Sequence, residues 1–161
     1  MDRLWAPWRI KYIKSNKKSK GCIFCRAKEA NPRDYVIFKT RHSAAMLNTF
    51  PYNNGHIMVT PSRHVRDLSM LNDAEALDIF RAINKTKGLL EKAMHPQGYN
   101  IGINISKGAG AGIAGHLHIH IVPRWVGDTN FMPTLYNTKV ISQSLDELYK
   151  QLKKYVKPGK N

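Results

Sequence analysis

Residues 115–125 read GHLHIHIVPRW and place a histidine at every second position: His116, His118 and His120. In an extended chain successive side chains alternate between two faces, so the three imidazoles share one face. Leu117, Ile119 and Ile121 then share the other face and belong in a core, which mounts the strand rigidly from behind. Three uses of such rings compete. As core histidines they would bury three polar rings side by side, which is costly. As a joint metal centre they would exploit the chelating His-x-His spacing. No Asp or Glu lies between residues 92 and 127 to give that centre a local carboxylate ligand or base. As reactive groups, one imidazole would attack an electrophile near pH 7 while its neighbours orient it and stabilise charge.

The preceding segment bears on the electrophile. GAGAGIAG, residues 108–115, offers successive backbone N–H groups with little side-chain obstruction. Such amides form nests for anions, and glycine lets backbone approach a ligand closely. The segment is not a Walker loop, because the terminal Gly-Lys-Ser/Thr is missing. A flexible hairpin is the plain alternative. Joined to the histidine strand, the loop suggests a phosphate held against an imidazole.

The two cysteines, Cys22 and Cys25, stand in GCIFC. Their close spacing reads as half of a zinc site or as a redox pair, and a secreted disulfide framework would bring more cysteines. A redox pair would follow a strand and open a helix; this one follows a polar, basic stretch.

The elements that position these groups follow from patterning. DYVIFKT (34–40), HSAAMLN (42–48) and HIMVTP (56–61) predict three strands. Asp73 predicts the cap of a helix starting near Ala74, with Leu77, Phe80, Ile83, Leu90 and Met94 at helical spacing and Pro96 and Gly98 beyond its end. YNIGINI (99–105) predicts a fourth strand with Ile101, Ile103 and Ile105 on one face, and HLHIHIV a fifth that Pro123 ends. A last helix over about residues 142–156 would use Leu145, Leu148, Leu152 and Tyr155. The order predicts an α+β fold: an antiparallel sheet with one long central helix and a C-terminal helix.

With 161 residues the chain has room for one domain and little more. Residues 1–21 read as a basic N-terminal arm, 22–140 as the catalytic domain, and 141–161 as a C-terminal helix and basic tail of the same domain. Hydrophobic content of 42% with 23% charged residues excludes a disordered chain. No apolar run approaches the roughly 18–20 residues of a membrane span, and the N-terminus lacks the apolar centre of a signal peptide, so a cytoplasmic protein is expected. The net charge of +15 concentrates at the ends, with six basic residues and no acid in residues 9–20. That field draws polyanions, either nucleotides or nucleic acid, although a lysine-rich solvated face accounts for it equally. Trp5 and Trp8 in LWAPW are expected to pack on the body or on a second subunit, with stacking on nucleic acid as the alternative.

HLHIHIV resembles the His-φ-His-φ-His-φ-φ motif (φ, an apolar residue) of the histidine triad family of nucleotide hydrolases and transferases. NTFPYNNGHIMVTPSRH resembles that family's segment with Asn, Gly-His, an apolar strand and Pro-x-x-His. The likeness covers about residues 21–125. It implies an α+β sheet fold, usually as a homodimer. It implies attack on an α-phosphate by His118, with His120 and His56 lining the phosphate site. The backbone of Gly110, Ala111 and Gly112 would hold phosphate oxygens with Asn104 nearby, and Asn48 would touch the ribose. A structural zinc in some members implies Cys22, Cys25, His64 and His116 as ligands. PRWVGDTNFMP (123–133) and the RLWAPWR start resemble the family's bacterial diadenosine-polyphosphate phosphorylases. There inorganic phosphate accepts the nucleotidyl group, and diadenosine tetraphosphate would be the substrate. Trp125 would then shape the leaving-group or acceptor site. The loop departs from other branches at Ile113 and Gly115, which offer few side-chain proton donors. Hydrolysis of the same substrate, a nucleoside phosphoramidase, and a nucleotide- or nucleic-acid-binding module without turnover are the alternatives.

Overall fold

In a computed structural model, which describes residues 21–29, 34–128 and 140–156, five strands form one antiparallel sheet in the order β1-β2-β3-β5-β4. The strands are β1 (Val36–Lys39), β2 (Ser43–Leu47), β3 (Ile57–Pro61), β4 (Gly98–Ile103) and β5 (Ile119–Arg124). The helices are α1 (Ile23–Arg26), α2 (Asp73–Met94) and α3 (Leu145–Lys153). The α+β prediction holds, with the long helix lying between β3 and β4 in the chain. Most of the expected N-terminal arm, with Trp5, Trp8 and the basic run, lies outside the described residues, as do 129–139 and the end of the tail. None of the described helices is long and apolar enough to cross a membrane.

The sheet carries a different core on each face. On one face Ile37, Ala45, Leu47, Ile57, Val59, Ile119 and Ile121 pack with Ile79, Leu89 and Leu90 of α2 and Leu148 and Leu152 of α3. On the other, Val36, Ala44, Met46 and Met58 pack with Phe24 of α1. The histidines of β5 and the turn before it lie on this second face, with Ile119 and Ile121 in the first core as expected.

Several boundaries differ from the prediction for identifiable reasons. Asn72, not Asp73, caps α2: its side chain accepts from the Glu75 amide while the Glu75 carboxylate accepts from the Asn72 amide. The sheet-facing stripe of α2 is Ile79, Ala82, Thr86, Leu89 and Leu90, so Leu77 and Phe80 stand 52% and 67% exposed. Small and hydroxyl side chains let the helix lie close to the sheet, and Thr86 stays satisfied by donating to the Ala82 carbonyl. Pro123 does not end β5, which runs on to Arg124, with Tyr99 and Gly98 of β4 opposite its last two residues. The Pro123 carbonyl points at the loop before β3, where it accepts from Asn53. Its missing N–H therefore faces the side where the β3 ladder has already finished. Ile105 lies beyond β4, and Tyr155 lies beyond α3, which begins after its cap Ser144.

Candidate active site

The triad histidines are deeply set, with His116, His118 and His120 only 1%, 4% and 8% exposed. They do not form one centre. Each ring makes a different set of contacts, and those contacts assign the ring protons.

His56 and His120 form a directed pair. The backbone amide of Tyr52 donates to Nδ1 of His56 at 3.1 Å. Asn48 takes the Phe50 amide on its oxygen, so its NH2 group is the one that faces the same Nδ1 at 3.2 Å. With Nδ1 accepting, a neutral His56 carries its proton on Nε2 and donates it to Nδ1 of His120, 2.9 Å away. The proton of His120 is thereby fixed on Nε2, an atom that is buried and has no hydrogen-bond partner among the described residues. A buried, unpartnered donor is costly unless a ligand supplies the acceptor. Both rings are held neutral: burial, then the charges His120 and His118 would carry, pushes His56 down to about 3. His120 is lowered by burial and then by His118.

His118 is fixed differently. Its Nδ1 lies 2.8 Å from the carbonyl oxygen of His116, which can only accept, so Nδ1 carries the proton and Nε2 keeps the lone pair. Among the described residues Nε2 has no bonded partner. The ring is held between Phe24, stacked at 4.7 Å, and the steeply inclined ring of His120 at 4.9 Å. An imidazole with a pinned Nδ1–H and an open Nε2 has the lone pair and the defined direction that nucleophilic attack requires.

His116 turns to the cysteines. Its Nε2 donates to the Pro61 carbonyl at 3.0 Å, leaving the Nδ1 lone pair 3.3 Å from Sγ of Cys22 and 3.6 Å from Sγ of Cys25. Nδ1 of His64 lies 3.2 Å from Sγ of Cys25. These four ligand atoms lie within 4.8 Å of one another. Tetrahedral zinc, with bonds of about 2.0–2.3 Å, needs its ligands roughly 3.5 Å apart, so the donor set fits. A ligating histidine whose other nitrogen donates to a carbonyl is also the usual second-sphere arrangement. The cysteine pair does open a helical turn, contrary to the expected context, but it faces two imidazoles.

The loop that carries His56 is built for position. Gly55 sits at φ +81, and a Cβ there would come within 2.8 Å of Pro123 Cγ and 3.0 Å of Met94 Sδ. Only glycine satisfies both constraints. Asn53 donates to the Pro123 carbonyl and to the carboxylate of Asp128, which also receives two bonds from Arg124.

Other expected residues take mixed positions. Asn104 directly follows Ile103, the last residue of β4, which pairs with Ile119 at the start of β5. In the glycine loop the amides of Gly110 and Ala111 already donate to the carbonyls of Lys107 and Ser106, at 3.0 and 3.3 Å. A phosphate there must compete with these bonds. Asn48 spends its side chain on His56 and Phe50. Trp125 is half-buried, and its indole donates to the His95 carbonyl at the end of α2.

Phe24, Tyr52 and Asn53 stand at the site and were not singled out by sequence reasoning. Tyr52, exposed, rests its ring 4.6 Å from that of His56 and 5.5 Å from that of His120. The aromatic residue inside Cys-x-x-Cys was the available signal for Phe24.

Residues 29–126 match the family model described as HIT domain. The chain belongs to the HIT domain family. Over 154 residues this HIT protein is 34% identical to a Mycobacterium tuberculosis protein named AP-4-A phosphorylase, covering 90% of this chain and 79% of the relative. Over 102 residues it is 34% identical to the asymmetrical bis(5'-nucleosyl)-tetraphosphatase of Schizosaccharomyces pombe, covering 63% of this chain and 56% of that protein. Its fold is similar to the crystal structure of a zinc-bound histidine triad family protein from Mycobacterium smegmatis, with TM-score 0.67 and 24% identity over 85% of this chain and 94% of that one.

Proposed function

We propose that this HIT protein cleaves dinucleoside polyphosphates, diadenosine tetraphosphate first among them, through a nucleotidyl intermediate on His118. The observation that carries the reading is the pair of ring nitrogens described above: an open lone pair on His118 beside an unpartnered, buried N–H on His120. A phosphate is the ligand that uses both, with phosphorus at the lone pair and a non-bridging oxygen at the donor.

In the first step Nε2 of His118 forms a bond to the α-phosphorus. The bond from that phosphorus to the bridging oxygen breaks, and the electron pair leaves with the polyphosphate, here ATP. The Nδ1–H bond to the His116 carbonyl stabilises the positive charge on the substituted ring. His120 donates to the phosphoryl oxygen, and His56 keeps that donor in the correct tautomer. A polyphosphate leaving group needs little protonation, which suits a loop with few side-chain donors. In the second step inorganic phosphate attacks the same phosphorus, the N–P bond breaks, and ADP forms. The basic balance of the chain favours polyanionic reactants.

The Cys22–Cys25–His64–His116 set would hold a structural zinc, which closes its own coordination and braces the segment before β5. No chemical step passes through it. A homodimer would form by pairing along β4, one of the sheet's two edge strands, where Ile101 and Ile103 are exposed. Water as acceptor is the second reading, favoured by the likeness to a protein named as a tetraphosphatase.

Product analysis with diadenosine tetraphosphate, with and without inorganic phosphate, tests the proposal. Phosphate-dependent ADP plus ATP is the expected result. AMP plus ATP, independent of phosphate, assigns water as acceptor. No turnover with tight, salt-sensitive binding overturns the enzyme reading in favour of a binding module.

A further inference from the structure

Phe24 sits inside the Cys22–Cys25 turn, and its ring faces that of His118 with centroids 4.7 Å apart and planes inclined by 27°. The same ring meets His116 at 5.4 Å. It is 1% exposed and lies in the apolar cluster with Ala27, Val36, Ala44, Met46 and Met58. The hydrogen bond from Nδ1 of His118 fixes one point of that imidazole. The plane of the ring, and so the direction of the Nε2 lone pair, is set by what lies flat against it.

Helix α1 is a single turn whose cap residue, Cys22, makes no side-chain capping bond. A turn of that length has no stability of its own. It is held by its buried phenylalanine and by the two cysteines against His64 and His116. The ring that backs the nucleophile and two of the candidate metal ligands are thus one rigid unit of four residues.

We propose that Phe24 is a positioning residue for His118, and that metal bound by Cys22, Cys25, His64 and His116 sets how firmly it holds the imidazole. The proposal rests on the reading of His118 as the nucleophile and of the cluster as a metal site. With metal bound, α1 is clamped and the His118 ring is held in the attacking plane. Without it, α1 loosens, Phe24 slides off, and the ring samples other orientations. Misplacing a reacting atom by about 1 Å can cost on the order of 100-fold in rate.

The test uses the full chain reconstituted with zinc and reads the ring protons of His118 by proton NMR beside the kinetics of diadenosine tetraphosphate cleavage. A proton above an aromatic face is shifted upfield, so wild type shows displaced His118 signals. Phe24→Leu is expected to keep one zinc per chain, lose the upfield shift, and lower kcat by about tenfold or more with KM little changed. Chelating zinc from wild type is expected to abolish the shift and lower kcat together, and returning zinc restores both. This arm stands alone if the variant does not fold. The proposal is overturned if the chelated protein keeps its shift and rate. It is equally overturned if folded Phe24→Leu turns over normally, or if the protein takes up no zinc. A His118→Ala protein that retains turnover instead sinks the nucleophile reading, whatever Phe24 does.

Discussion

Nε2 of His56 stands 2.9 Å from Nδ1 of His120, and the backbone amide of Tyr52 decides which of the two carries the bridging proton. One amide thus determines, two rings away, that the site presents a donor and not a lone pair. His120→Ala removes that donor and is expected to lower kcat by about 10²–10³-fold, the usual cost of losing one aimed donor. His56→Ala leaves the donor but frees its tautomer, so a smaller loss is expected. Steady-state kinetics on both variants check the order. A His56 variant as slow as the His120 variant would mean that His56 meets the substrate itself.

The same pair makes stability sensitive to mild acid. His56 is depressed to about 3 and His120 is lowered as well, so the unfolded chain binds more protons than the folded one below pH 6.5. Stability is therefore expected to be flat between about pH 7 and 9, below the range in which buried tyrosines such as Tyr35 and Tyr99 begin to matter, and to fall as pH drops from 6.5 toward 4. Glu75, held down to about 2 by Arg63, keeps its contribution until pH falls below the ordinary carboxylate range near 4.5. Between pH 5 and 6.5 the carboxylate of Glu75 therefore adds nothing, and the change assigned to His56 is the part that its substitution removes. Thermal melts across that window should show a falling Tm in wild type and a flatter profile in His56→Gln. Equal slopes would remove His56 as the cause.

Gly55 precedes His56 at a positive φ with no room for a Cβ. Gly55→Ala is expected to destabilise by about 2–4 kcal/mol, from the backbone conformation and from overpacking on Pro123. Urea denaturation measures this. A change below about 0.5 kcal/mol, the range of a neutral surface substitution, would show that the turn relaxes at no cost.

Asp128 ties Arg124 of β5 to Asn53 of the His56 loop. Asp128→Ala should leave the fold intact while loosening that loop, lowering kcat by about tenfold as a misplaced orienting group does. Asp128→Asn, which keeps part of the network, should lose less. Equal activity of Asp128→Ala and wild type would make the network structural only.

Much of this site was legible because it lies in local patterns. Alternation alone puts His116, His118 and His120 on one face, and burial of Ile119 and Ile121 on the other follows from it. The association of Cys22 and Cys25 with His64 and His116, by contrast, spans 94 residues and came from family likeness, not from spacing. The misreadings have a common cause. Whether Leu77 and Phe80 or Ala82 and Thr86 face the sheet depends on how closely α2 lies on it, which periodicity does not encode. Likewise a glycine-rich loop offers many amides, but only folding shows that those of Gly110 and Ala111 are already engaged. Phe24 and Asp128 escaped notice because their partners are set by tertiary packing.

The most direct measurement is to mix the protein with diadenosine tetraphosphate without inorganic phosphate, quench in base to preserve an N–P bond, and map the adduct by mass spectrometry. One AMP on His118 is expected, discharged to ADP when phosphate is added. An adduct on another residue, or full turnover by His118→Ala, would contradict the account.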